Sequence, residues 1–145
     1  MNQKQIPTEV LKYELRKMQI KLSEESRSSF LTFVKKVWPE FVAGSHHKII
    51  AKKFEDISRG KIKRLIVNMP PRHTKSEFAS HLFPAWMLGQ KPKLKILQTT
   101  HTAELSYNFG RNVRHLFDQQ DFNDVYPSAR LSQDSKAPGR FTTNA

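Results

Sequence analysis

Leu65-Ile-Val-Asn-Met-Pro-Pro-Arg-His-Thr-Lys-Ser-Glu77 passes from a short apolar run through a tight loop into Lys75-Ser76, where an amphipathic segment begins. Strand, loop and helix in that order make a phosphate-binding layout, in which the helix's first amides point at an anion. In such a layout Lys75 reaches the β- and γ-phosphates and the Ser76 hydroxyl sits on Mg²⁺. The pattern G-x-x-x-x-G-K-[ST] is not met, because Met69 and Thr74 stand at the two glycine positions.

The flanks supply what the motif lacks. Leu65-Ile-Val67 is continuous and β-branched, as expected of a strand buried on both faces of a parallel sheet. Residues 76–88 read as a helix with Phe78, Leu82 and Ala85-Trp86 on one stripe; Pro84, lacking a backbone donor, must kink it or end its regular part. Leu94 to Thr99 reads as a second strand, and the crossover suits a right-handed β-α-β unit. Thr102 is a plausible N-cap for a helix over about 103–119. That helix buries Leu105, Phe109, Val113 and Leu116 and shows Asn108, Arg111, Arg114 and His115 on its other side. After Phe122 the pattern turns irregular, through Tyr126-Pro127 to Ala137-Pro-Gly139.

Towards the N-terminus the period is helical. Val10, Leu11, Leu15, Met18 and Leu22 recur at spacings of three and four within 8–22. Ser23 to Ser29 is polar and suits the end of one helix and the cap of the next. Phe30 to Trp38 is a second amphipathic helix stopped by Pro39, and His47 to Ser58 a third, ending near Gly60. The expected organisation is a helical N-terminal extension over 1–60, then β-α-β-α and a tail over 61–145.

Composition narrows the class. The chain has 145 residues, a net charge of +12 and a pI near 10.1, which suits a polyanionic partner. Residues 1–64 hold a surplus of 8 positive charges and residues 65–145 a surplus of 4. Cysteine is absent, which excludes disulfides and thiolate metal sites and fits a reducing compartment. No 18-residue apolar run and no secretion leader is seen, so a soluble intracellular protein is expected.

Several stretches together resemble the large terminase subunit of tailed bacteriophages. They are His46-His-Lys-Ile-Ile-Ala-Lys-Lys-Phe-Glu55, Gly60-x-x-x-Arg64-Leu, Met69-Pro-Pro-Arg-His-Thr-Lys-Ser-Glu77 and Thr99-Thr-His-Thr-Ala-Glu-Leu105. The resemblance runs from about residue 30 onward, and Pro-Pro-Arg-His-x-Lys-Ser before a helix is its most specific part. It implies an α/β fold, a RecA-like P-loop NTPase with a parallel sheet, incomplete here. The implied function is ATP-driven translocation of double-stranded DNA into a capsid, with ATP and Mg²⁺ as cofactors. DNA, the small terminase subunit, the portal protein and further copies in a ring are the implied partners, in the cytoplasm of an infected bacterium.

The resemblance also assigns residues. Pro71, Arg72, His73, Thr74, Lys75, Ser76 and Glu77 form the nucleotide loop, with Lys75 and Arg72 in the catalytic roles and Ser76 on Mg²⁺. Arg72 matches a loop arginine that stabilises the γ-phosphate. Trp38, His46 and His47 precede the first strand, where the family places an adenine-contacting segment; a core role for Trp38 stands beside that reading. Thr99, Thr100 and Thr102 match a turn that meets DNA in related motors, with simple helix capping as the alternative. The family commonly has glycine at the Thr74 position. A P-loop ATPase also needs a strand ending in a carboxylate to hold Mg²⁺; no such strand is present, and the nuclease's acidic ligands are missing too. The chain is therefore expected to be the front of a terminase ATPase domain, short of its Walker B and nuclease parts. A helicase-like ATPase and a non-catalytic basic DNA-binding or assembly fragment are the alternatives.

Overall fold

The structure, a computed structural model, describes residues 8–132 and 140–144; the Ala137-Pro-Gly139 stretch lies outside them. Its elements in chain order are α1 (Thr8–Ser28), α2 (Phe30–Val37), α3 (Ser45–Ser58), a π-helical stretch (Glu77–Leu82) running directly into α4 (Phe83–Gln90), α5 (Ala103–Phe117) and α6 (Gln120–Val125). Among the described residues the fold is helical, at 62 % helix.

This corrects the expected RecA-like parallel sheet and its β-α-β-α order. Among the described residues there is no strand, and the β pairing is one antiparallel bridge between Leu131 and Thr143. The stretches 65–67 and 94–99 lie outside every helix and have no ladder partner. Leu65 and Leu94 pack against the helical core, whereas Ile66 is 85 % exposed and Leu97 89 % exposed. A continuous apolar run reports that a segment can be buried on both faces, and here only one face is covered.

The core is built around Phe30, whose ring lies 5.4–6.5 Å from those of Phe33, Phe54, Phe78, Phe83 and Trp86. Four of the five contacts are edge-on, the arrangement that the aromatic quadrupole favours. Phe30 can sit there because α2 starts beside it: Ser29 caps the helix by accepting from the Thr32 amide, and the free Phe30 amide donates to Glu55 of α3. Lys36 brings α6 onto α2, its Nζ 3.7–3.8 Å from Asp121 and Asp124.

Pro84 sits where the helix changes its hydrogen bonding, just after the π-helical stretch ends at Leu82 and α4 begins at Phe83, so the regular part is interrupted while the helix continues. Pro84 cannot donate to the Ser80 carbonyl, and the hydrogen bonding widens instead, the Phe83 amide reaching back five residues to Phe78. The orphaned Ser80 carbonyl accepts from the Gln98 side chain at 2.7 Å. That bond fastens the extended 94–100 segment to the helix carrying Lys75 and Ser76.

Helix α1 runs six residues past the expected end. Its last two turns are anchored: Ser23 and Ser26 are buried, the Ser26 carbonyl accepts from Trp86, and Arg27 donates to the Val125 carbonyl. Its apolar positions Leu11, Leu15 and Met18 stay exposed. The helix expected over 103–119 stops at Phe117 and resumes as α6. No helix among the described residues is long and apolar enough to cross a membrane.

Gly89 gives one prediction. Glycine inside a helix ordinarily costs about 0.5–1 kcal/mol relative to alanine. Here a Cβ would lie 2.3 Å from the Tyr126 ring, which is packed between Phe33 and Phe122. Gly89→Ala should therefore destabilise by about 1–3 kcal/mol through overpacking. Urea unfolding measures it, and a midpoint equal to or above that of the parent chain would contradict the contact.

Candidate phosphate-binding loop

The loop from Met69 to Ser76 has a backbone that few sequences adopt. Arg72 (φ 63°) and Thr74 (φ 57°) both lie in the left-handed region, on either side of His73. Left-handed conformation costs a non-glycine residue about 1–3 kcal/mol, and a β-branched one is the least suited to it. Thr74 stands at the glycine position of the motif, and its backbone adopts a conformation that glycine takes readily.

Side chains hold this shape by occupying alternate carbonyls. Lys75 Nζ donates weakly to Met69 O at 3.4 Å, His73 Nδ1 donates to Pro71 O at 2.8 Å, and Thr74 Oγ1 donates to His73 O at 2.7 Å. Meanwhile no acceptor meets the amides of Thr74, Lys75, Ser76 or Glu77 among the described residues. They belong to the first turn of a helix whose first hydrogen bond runs from Phe78 N to Thr74 O at 2.9 Å. Left-handed turns that gather successive amides make anion-binding concavities, and the helix dipole adds to them. Arg72, His73, Lys75 and Ser76 are exposed around these amides.

Thr74 has a second partner. Its Oγ1 lies 2.6 Å from His47 Nε2, and the Gly44 amide donates to His47 Nδ1 at 2.9 Å. A backbone amide can only donate, so Nδ1 carries a lone pair. The neutral ring then bears its proton on Nε2 and donates to Thr74, whose own proton goes to His73 O. Burial, and then the neighbouring His46 and His73, hold the His47 pKa below its ordinary value, which keeps this ring neutral.

The other singled-out residues divide. His46 and His73 join His47 in a cluster of imidazoles, with ring centroids 3.8 Å (His46–His47) and 5.7 Å (His46–His73) apart. Trp38 is half-buried against the core, 5.2 Å from Phe41, which in turn packs on His47 and Phe78. Glu77 is drawn back along the helix to His81 at 2.9 Å, and that hydrogen bond holds its carboxyl below the usual range against the opposing effect of burial. Thr102 caps α5, accepting from the Leu105 amide, while Thr100 donates to the Thr102 carbonyl and Thr99 is exposed. Among the described residues no group of three or more His, Asp or Glu side chains is placed to hold a metal, so Ser76 is the Mg²⁺ candidate by position in the loop alone.

Sequence reasoning singled out His47 for a base contact and missed its bond to Thr74. One signal was available: a β-branched residue in a glycine slot needs a partner to hold it there. Nothing in the local sequence identifies a residue 27 positions earlier as that partner. Comparison with protein-family models, with curated proteins and with solved structures gave no match.

Proposed function

We propose that this chain is a nucleotide-handling part of a DNA-packaging motor of the terminase large-subunit kind, binding the phosphates of ATP with Mg²⁺ on the 69–77 loop. The observation that carries this reading is the pair of left-handed residues, Arg72 and Thr74, that opens onto Lys75-Ser76 and the unpaired amides heading the helix. In mechanism, the amides and the Lys75 ammonium neutralise the phosphates, Ser76 offers a hydroxyl to Mg²⁺, and exposed Arg72 reaches the γ-phosphate. Motion coupled to that site would drag double-stranded DNA along a basic surface by contacts to its phosphates, independent of sequence. The small terminase subunit, the portal and further copies of the chain are the protein partners in this scheme.

Chemistry is a separate matter from binding. Glu55 holds the Phe30 amide and Arg59, Asp56 holds Lys61, Asp121 and Asp124 hold Lys36, and Glu77 holds His81. These five are engaged in structural contacts, and among the described residues no strand ends in a carboxylate beside the loop, as a P-loop ATPase needs to hold Mg²⁺. The chain alone is therefore expected to bind Mg·ATP weakly without turning it over. Lys75→Ala should lower the affinity by about tenfold or more, the usual worth of a charge-assisted contact. Calorimetric titration of the pure chain and of Lys75→Ala checks this. Equal affinity in both would remove Lys75 from the site, and steady ATP hydrolysis lost in Lys75→Ala would overturn the expectation of no turnover. The uncovered apolar positions of α1 favour a second reading, an assembly fragment without turnover, which absence of any nucleotide binding would support.

A further inference from the structure

We infer that His47 is a positioning residue for the 69–77 loop: through Thr74 it fixes the left-handed turn that a glycine would otherwise supply. In this chain a histidine–threonine pair, contributed by two distant segments, replaces the glycine of a phosphate loop. As a statement about nucleotide binding, this rests on the function proposed above; as a statement about the loop, it stands on geometry.

Three features of the structure converge on it. Thr74 is a β-branched residue at φ 57°, a conformation that persists only where surrounding groups over-determine it. Its hydroxyl is fixed from both sides, by the His47 Nε2 proton at 2.6 Å and by His73 O at 2.7 Å. His47 itself has no freedom to turn away. It is 6 % exposed, its ring packs on Phe41 at 4.8 Å and Phe78 at 5.1 Å, and its Nδ1 is occupied by the Gly44 amide. Gly44 is the N-cap of α3 and His47 its third helical residue, so the ring answers an amide at the start of α3 and a hydroxyl at the start of the next helix. Start positions of two helices are thereby tied by one imidazole. Phe78 strengthens the tie, because it follows Lys75-Ser76 by less than a turn and touches the same ring.

The pairing makes the role of each residue depend on the other, which a double-mutant cycle reads directly. His47→Phe keeps an aromatic ring against Phe41 and Phe78 and removes both hydrogen bonds. It should weaken binding of Mg·ADP to the full chain by about tenfold, the scale of one buried hydrogen bond. In a Thr74→Gly background the same change should cost less than about twofold, since glycine adopts the turn unaided. Thr74→Val, which keeps the branched shape without the hydroxyl, should match His47→Phe and add nothing to it. Equal losses from His47→Phe in the threonine and glycine backgrounds would overturn the inference.

Nuclear magnetic resonance tests the loop without a nucleotide. Nitrogen-15 shifts of the His47 ring should report a neutral Nε2–H tautomer. A strong intraresidue amide-to-Hα contact should report the positive φ of Thr74, and it should be lost in His47→Phe. An Nδ1–H tautomer, or an unchanged Thr74 signal in a folded His47→Phe chain, would also overturn it. Should no variant bind Mg·ADP while these signals behave as expected, the nucleotide reading fails and the histidine–threonine link is upheld.

Discussion

Phe30→Ala is expected to cost about 3–5 kcal/mol, a large share of the roughly 5–15 kcal/mol that ordinarily holds a domain folded. Phe30 is fully buried and its ring meets side chains from α2, α3, the π-helical stretch and α4. Truncation loses the transfer energy of the ring and leaves a cavity that rigid neighbours on four elements cannot close. The loss also reaches the loop. Phe78, 5.4 Å from Phe30, follows Lys75-Ser76 within a turn and packs on His47, so the head of that helix loses its inner support. Denaturant unfolding measures the cost, with Ile66→Ala as a control, since a side chain 85 % exposed should change stability by no more than about 0.5 kcal/mol. A Phe30→Ala loss below about 1 kcal/mol would mean that the core is not organised around this ring.

Helical periodicity was legible in the sequence because it repeats over several turns. Of the four positions that spacing assigns to the buried stripe of α5, the structure buries Val113 and Leu116 and leaves Leu105 and Phe109 half-buried. Ser29 and Thr102 cap helices from the polar positions that spacing left for them. The segments 65–67 and 94–99 do not form the expected strands, because three apolar residues in a short segment carry no information about a partner. A strand is a property of a pair of segments, and neither of these has its pair among the described residues. Pro84 shows a subtler limit: its missing donor was legible, but the remedy, Gln98 satisfying Ser80, is a contact across 18 positions. The candidate site follows the same division. Lys75-Ser76 at a helix start was visible locally, whereas the His47–Thr74 link is long-range and was not. What the two readings share is the loop itself, whose backbone shape does not depend on whether a sheet stands behind it.

Binding of duplex DNA by this chain should fall by about 10³–10⁵ as salt rises from about 50 to 200 mM, if six to ten phosphates are engaged. The basis is the surplus of 8 positive charges in residues 1–64 and where the structure puts them. Lys36 is spent internally, against Asp121 and Asp124, but Lys48, Lys52 and Lys53 on α3 and Lys63 and Arg64 beyond it are all exposed. Lys48 and Lys52 lie four apart and so share one helix face. Charges arranged in this way meet phosphates and read no base edges, so unrelated duplexes of equal length should compete equally. Lys52→Ala should weaken every duplex alike and reduce the salt slope by about one. Gel-shift titrations with two unrelated duplexes at two salt concentrations decide the matter. Salt-insensitive binding, or a clear preference for one duplex, would contradict sequence-blind contact with the backbone. No binding at low salt would turn the basic helices towards a protein partner instead, and with them the exposed apolar positions of α1, since a partner covering Leu11, Leu15 and Met18 would meet Arg16 and Lys17 on the same helix.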